Sequence, residues 1–286
     1  MTQTAPPTVD RFLAVQKRAQ MVIERYRESA SNYFNILVMG DSGAGKTSLA
    51  VTCPTPVFID SFDPGGTKTR VLQASINAND ILCETKWEHD AWKSPFAFRE
   101  WEGEMQSRRR EGMFDFIGTY MLDSASKWSD SMMFAIIQSG KDRNGKSRIG
   151  QTPEIQDYLT QQLTAVDWLG WLMDLPCNVL VTAHLGIEKD ELTGRIESGP
   201  LLYGKLAKKL PIAFDEVYIT RPQQSASGLQ HRLQTKADGY YIAKSRIGGS
   251  ALELFEEPNI KKIMQKAGAR EPSWKDKEPV FHPAKE

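Results

Sequence analysis

Asn35-Ile36-Leu37-Val38-Met39-Gly40-Asp41-Ser42-Gly43-Ala44-Gly45-Lys46-Thr47 decides the fold. Its first half, Ile36 to Met39, is an apolar run of buried-strand length. Its second half is a glycine-rich turn closed by Lys46 and Thr47. A nucleoside triphosphate packs several negative charges close together, so a site for it needs many donors converging at low steric cost. Glycines at 40, 43 and 45 let backbone N–H groups wrap phosphates, and a helix opening at Lys46 adds the positive end of its dipole. In this arrangement Lys46 reaches the β- and γ-phosphates and the Thr47 hydroxyl ligates Mg²⁺. The expected nucleotide-binding set is Gly40, Asp41, Ser42, Gly43, Ala44, Gly45, Lys46, Thr47 and Ser48, with ATP and Mg²⁺ as ligands.

Working outward, the pattern is one of strands alternating with helices. Pro56 to Asp60 forms a second strand, Phe116 to Leu122 a third that leads into Asp123-Ser124, and Asn178 to Ala183 a fourth. Helices are expected around Phe98 to Glu111, over 125–139 and over 153–174. Strands separated by helices imply a parallel sheet with right-handed crossovers. After Ala183 the runs become short and alternating, over Glu216 to Thr220, Gln230 to Thr235 and Tyr240 to Ala243. Ala237-Asp238-Gly239 supplies a hairpin turn, so antiparallel strands extend one edge. Ahead of the core, Phe12, Val15, Ala19, Val22 and Tyr26 recur at steps of three and four, an amphipathic helix by period. The expected organisation is a helical segment at 1–30, a core at 31–267 and a flexible tail rich in Pro, Lys and Glu at 268–286.

A chain of 286 residues, 40% of them hydrophobic, can bury a full core. Its 36 basic and 36 acidic residues balance, which excludes a polycation that coats nucleic acid through its overall field. Three cysteines without a CxxC pair fit neither a disulfide framework nor a zinc knuckle and are expected as reduced packing thiols. No basic leader with an apolar run opens the sequence, and no stretch approaches the ~18 apolar residues that read as a bilayer span. The chain is expected in the cytoplasm, away from membranes.

A bound metal needs a second protein anchor, an acidic residue ending an apolar strand next to the one before the glycine-rich turn. Asp123 fits, with helix N-capping as its other reading. The order of this P-loop, then Val57-Phe58-Ile59-Asp60-Ser61-Phe62-Asp63-Pro64, then Met121-Leu122-Asp123-Ser124-Ala125, then Leu180-Val181-Thr182-Ala183-His184, resembles the RecA-like ATPase core over about residues 34–250. Within that superfamily it is similar to phage-encoded AAA-type nucleotide-binding proteins, a group that includes RecA-like single-strand annealing proteins. The resemblance implies an α/β, RecA-like P-loop NTPase. Its central sheet would be mostly parallel and flanked by helices, with the antiparallel extension at one edge.

The resemblance also implies site roles. The RecA family carries a catalytic glutamate two residues after the aspartate of its Phe-Ile-Asp strand, where this chain has Phe62. Asp60 and Asp63 are then the candidates for activating water, the alternative being a turn they build with Pro64-Gly65-Gly66. His184 stands where relatives place a polar γ-phosphate sensor. Lys244 and Arg246 stand where relatives carry a Lys-x-Arg pair that reaches a neighbouring subunit's γ-phosphate, which implies a homo-oligomer, ring or filament. Two basic segments correspond to loops lining single-stranded DNA: Lys141 to Arg148, and Gly186 to Lys209 with Lys189, Arg195, Lys205, Lys208, Lys209 and the aromatic Tyr203. Solvated charge is the alternative for both. Trp87, Trp92 and Trp101 are open between packing and base stacking.

The implied function is a Mg²⁺-dependent ATPase that oligomerises on single-stranded DNA in phage-type recombination, annealing or replication. It would work in the host cytoplasm, with a single-strand-binding protein or other replication proteins as partners. A ring helicase or helicase loader, and a nucleotide-gated assembly protein with little hydrolysis, are the alternatives. A small-acceptor kinase ranks behind them, since neither lid nor acceptor pocket is visible.

Overall fold

The computed structural model describes residues 9–29, 33–189, 194, 196–225, 228–246, 249–269 and 273–278. Met1–Asn32 and Tyr33–Glu286 form separate compact units. The first holds α1 (Val9–Ser29), as the spacing of its apolar residues predicts.

In the second unit the P-loop run forms β1 (Asn35–Gly40), followed by β2 (Val57–Ser61), α2 (Arg70–Asn77), β3 (Ile81–Glu84) and α3 (Ala97–Arg110). Next come β4 (Thr119–Asp123), α4 (Ala125–Ser139), α5 (Ile155–Met173), β5 (Asn178–Lys189), β6 (Ile196–Pro200) and α6 (Leu206–Ala213). The chain continues through β7 (Glu216–Ser225), β8 (Gly228–Gln234), β9 (Lys244–Ser245), β10 (Phe255–Glu256) and α7 (Ile260–Lys266). The strands join in the order β10-β8-β7-β1-β5-β4-β2-β3. From β7 to β3 every pairing is parallel, and β8 and β10 add antiparallel strands beyond β7. The α/β class and its one-sided antiparallel extension are those expected. Alternation in β1 sends Leu37 and Met39 to the face covered by α3 to α6, and Ile36 and Val38 to the face covered by α2 and α7.

Several expectations need correction. The strand ending in Asp123 is not next to the P-loop strand, because β5 pairs with both β1 and β4. The third strand begins at Thr119, since Met113–Phe116 coils into a 3₁₀ turn and Gly118 and Thr119 both donate to the Pro56 carbonyl. The helix after the P-loop is a six-residue 3₁₀ segment, Thr47–Thr52. Cys53 precedes Pro54 and is extended at φ −84°, ψ 156°, which stops helical continuation. The fourth strand runs past Ala183 to Lys189 and folds back on β6, so the stretch taken as a basic loop is a hairpin followed by α6.

The late hairpin also closes elsewhere. β7 pairs with β8 from Ile219↔Gln234 to Ser225↔Gly228, and β10 takes the other edge of β8. Asp238 does build a turn, accepting from the Tyr240 and Tyr241 N–H groups at 3.0 and 2.8 Å. With both edges of β8 occupied, the residues beyond that turn bridge to Ser198 and pair with β7 instead. Part of the segment expected as a flexible tail is held to the core. Asn178 Nδ2 donates to the Ser273 carbonyl at 2.7 Å, and Asp276 Oδ1 accepts from the Thr55 N–H at 2.7 Å.

Candidate functional site

Past the C-terminal ends of β1, β2 and β4, where ligands of open α/β sheets bind, lies a cleft of about 500 Å³. Ser42, Gly43, Gly45, Lys46, Thr47 and Ser48 form one wall. Asp63, Pro64, Gly65, Gly66 and Thr69 form another, and Lys127 and His184 complete it. Gly43 at φ +75° and Gly45 at φ +86° are left-handed, the backbone that lets a loop curl around an anion and that a side chain would oppose. Thr220 of β7 fastens this loop by donating to the Ala44 carbonyl at 2.5 Å. Lys46 is buried and donates to the Gly40 and Asp41 carbonyls, both at 2.9 Å. Burial pushes its ammonium pKa down, against Asp123, Asp63 and Asp41, which raise it.

Asp123 is fully buried and reaches the cleft through Thr47, which lines it. Its Oδ2 accepts from the Thr47 hydroxyl at 2.7 Å, and its Oδ1 accepts from the Thr182 hydroxyl of β5, the strand that separates it from the P-loop strand. Burial pushes its carboxyl pKa up, and the two threonine hydroxyls and Lys46 pull it down. Capping of α4 falls to Ser124, whose Oγ accepts from the Lys127 N–H, so Asp123 is left to the two threonine hydroxyls. The alcohol of Thr47 and the carboxylate of Asp123 are the hard oxygen donors that suit Mg²⁺. A Cβ at Gly66 would stand 3.2 Å from Asp123 Oδ2, a tight contact that glycine spares the loop after β2.

The two acids of that loop go to different places. Asp63 faces the cleft: its Oδ1 accepts from Ser124 Oγ at 3.1 Å and its Oδ2 lies 3.0 Å from His184 Nε2. An ionised carboxylate only accepts, so Nε2 is the protonated nitrogen in this pair. Asp60 is a correction. It shares the parity of Phe58, faces α3, and is fully buried. Its oxygens accept from Trp87 Nε1 at 2.9 Å, Trp101 Nε1 at 3.0 Å, Arg108 at 2.9 Å and the Tyr120 hydroxyl at 2.8 Å. Asp60 does not line the cleft. Phe62, at the position for which the resemblance implies glutamate, stacks on Trp87 at 6.2 Å between ring centroids. Among the described residues, Asp63 is the one carboxylate lining the cleft.

Residues 32–247 match the family described as AAA domain (AAA_24). The chain belongs to the AAA domain family. Among solved structures, this AAA domain is similar to a KaiC-like protein from Pyrococcus horikoshii OT3, at TM-score 0.37 and 9% identity, covering 70% of this chain and 76% of that one. It is also similar to the flagellar accessory protein FlaH from Methanocaldococcus jannaschii, at TM-score 0.34 and 10% identity, covering 74% and 80%. No curated protein matches it. Among its described residues no helix is long and apolar enough to cross a membrane.

Lys244 and Arg246 do not line this AAA domain's own cleft. They converge on the Ile212 carbonyl, at 3.3 Å from Lys244 Nζ and 3.0 Å from Arg246 Nη2, and the guanidinium is exposed. Of the first basic segment, Lys141, Arg143 and Lys146 are exposed. Arg148 is a correction: it is buried and bidentate on Asp157, at 3.0 and 2.7 Å, and serves the start of α5. In the second segment Lys205, Lys208 and Lys209 are exposed around the start of α6, while Arg195 and the side chain of Lys189 lie outside the described residues. Trp87 and Trp101 are core packing, and Trp92 is exposed.

Three residues in or around the cleft carry no site role in the sequence reading. Thr182 lies inside a quoted motif and Lys127 just past one, yet their relevance depends on which strand lies next to β4 and which face α4 turns to the cleft. Glu88, in the insert before α3, holds the loop after β2 by accepting from Ser61 Oγ at 2.7 Å and from the Gly65 N–H at 2.8 Å. No short motif marks it.

Proposed function

We propose that this AAA domain is a Mg²⁺-dependent, RecA-like ATPase that assembles as a homo-oligomer on single-stranded DNA in phage-type recombination, annealing or replication. The observation that carries the ATPase reading is the meeting of Asp63 and His184, 121 residues apart, at 3.0 Å beside Lys46 and Thr47. The P-loop amides and Lys46 bind the triphosphate, and Thr47 with Asp123 holds Mg²⁺. The metal neutralises phosphate charge when bound.

Asp63, steadied by His184 and Ser124, orients a water and takes its proton. The water oxygen bonds to the γ-phosphorus, the bond to the β,γ-bridging oxygen breaks, and ADP leaves with that oxygen. Lys244 and Arg246, which do not line their own cleft, are proposed to serve the cleft of a neighbouring copy. The exposed cations of residues 141–146 and 205–209 support tracking of a nucleic-acid backbone.

The test is steady-state ATP hydrolysis with and without single-stranded DNA, at low and moderate salt, in wild type and Arg246→Ala. Stimulation by DNA that disappears in the variant is the expected result. ATP binding without stimulation at any salt would sink the DNA reading. It would favour a nucleotide-gated assembly protein, which Phe62 in the place of the glutamate that the resemblance implies also fits.

A further inference from the structure

The cleft holds a cation that neither the P-loop nor the Lys244–Arg246 pair accounts for. Lys127, in the first turn of α4, lines it together with Asp63 and His184. Its ammonium is parked on Asp130 one turn further along, at 3.0 Å, with the lysine side chain 50% exposed. Burial and the charge of Asp130 beside it raise the pKa of the Tyr203 hydroxyl, and Tyr203 packs edge-on against Tyr158 of α5 at 6.0 Å between ring centroids. One carboxylate therefore faces both a cleft lysine and the segment that leads into α6.

We propose that Lys127 is a γ-phosphate-binding residue acting within its own subunit, and that leaving Asp130 for the triphosphate loosens Tyr203 and the segment 201–209. The inference rests on the ATPase reading above. Three observations carry it. Lys127 is already part of the cleft wall, on a long stem free to turn. An exposed ion pair three residues apart on a helix is a weak restraint, and a γ-phosphate bears more charge than one carboxylate. The hydrogen bond to Asp130 is the largest cause raising the Lys127 pKa, with Asp63 and Tyr203 adding to it, so the group arrives charged. Since Asp130 faces both groups, moving the lysine changes the charge beside Tyr203.

The test measures binding of a non-hydrolysable ATP analogue and of ADP by calorimetry, and hydrogen exchange of residues 201–209 with each, in wild type, Lys127→Met, Lys127→Arg and Tyr203→Phe. Lys127→Met should bind the analogue about tenfold more weakly and ADP within about twofold of wild type, as loss of one phosphate-directed charge implies. Its 201–209 exchange should no longer respond to the analogue. Lys127→Arg should restore the discrimination. Tyr203→Phe should keep the analogue affinity yet exchange fast in both states. A Lys127→Met protein that keeps wild-type discrimination and exchange response overturns the proposal while leaving the ATPase reading intact. A wild type that binds neither nucleotide overturns both.

Discussion

Asp60 and Asp63 leave the same strand three residues apart, and the molecule uses them in opposite ways. Asp60 is walled in by two tryptophans, a tyrosine and Arg108, whose guanidinium also lies 4.5 Å over the Phe58 ring. Every lone pair it offers is spoken for by a donor that has left water, so it holds the α3 layer to the sheet. Asp63 faces the cleft, keeps contact with solvent, and has partners that orient it. Parity along β2 makes the difference. Asp60 falls on the Phe58 face, whereas Asp63 lies beyond the strand, where the chain turns over the end of β4 and its N–H donates to the Asp123 carbonyl.

The largest effect expected from this contrast is on folding. Asp60→Ala strands Arg108 in the core, and losing one partner of a buried pair costs about 3–5 kcal/mol. Denaturant unfolding should show that loss, while Asp63→Ala should stay within about 0.5 kcal/mol of wild type. Equal destabilisation by both would erase the distinction between the two acids.

Next in size is His184. If it orients Asp63, His184→Ala should lower turnover by about tenfold to a hundredfold with ATP affinity nearly unchanged, because small misplacement of a reacting group is costly. His184→Gln, which keeps a donor, should recover much of it. A weakened ATP affinity with turnover intact would make His184 a binding residue instead.

The smallest effect separates Asp123 from both. Burial raises its carboxyl pKa, so its ionised form, which a metal needs, is lost at a pH above the ordinary Asp value of about 3.9. Below that raised pKa, Mg²⁺ affinity measured with ATP present should fall by about tenfold per pH unit. For the metal-free fold the sign is opposite. A raised carboxyl pKa contributes stability that is present at low pH and lost as pH rises through it, so Asp123→Asn should stabilise the metal-free protein at neutral pH. A metal affinity flat with pH down to the ordinary carboxylate range would contradict the burial argument.

Much of the cleft is legible in the sequence because its chemistry is local. The P-loop glycines, Lys46 and Thr47 are contiguous, and Asp63, Asp123 and His184 each follow an apolar run that can be read as a strand. Where strands lie relative to one another is not local. That β5 separates β4 from β1, bringing Thr182 onto Asp123, is a fact of sheet order. Asp60 looked as available as Asp63 because nothing nearby announces Trp101, Arg108 or Tyr120, which arrive from α3 and β4. The six-residue 3₁₀ segment was readable in hindsight from Pro54, whereas the closing of the late hairpin at Ser225 and Gly228 depends on β10 claiming the far edge of β8.

The central claim is that Asp63 is the carboxylate that activates water. Single-turnover hydrolysis of ATP by Asp63→Asn, with ATP affinity and thermal unfolding measured on the same preparation, tests it most directly. The expected result is a rate lower by about 10²–10⁴-fold, the scale of a lost general base, with binding and unfolding unchanged. A wild-type rate in a folded, ATP-binding Asp63→Asn protein would contradict the claim.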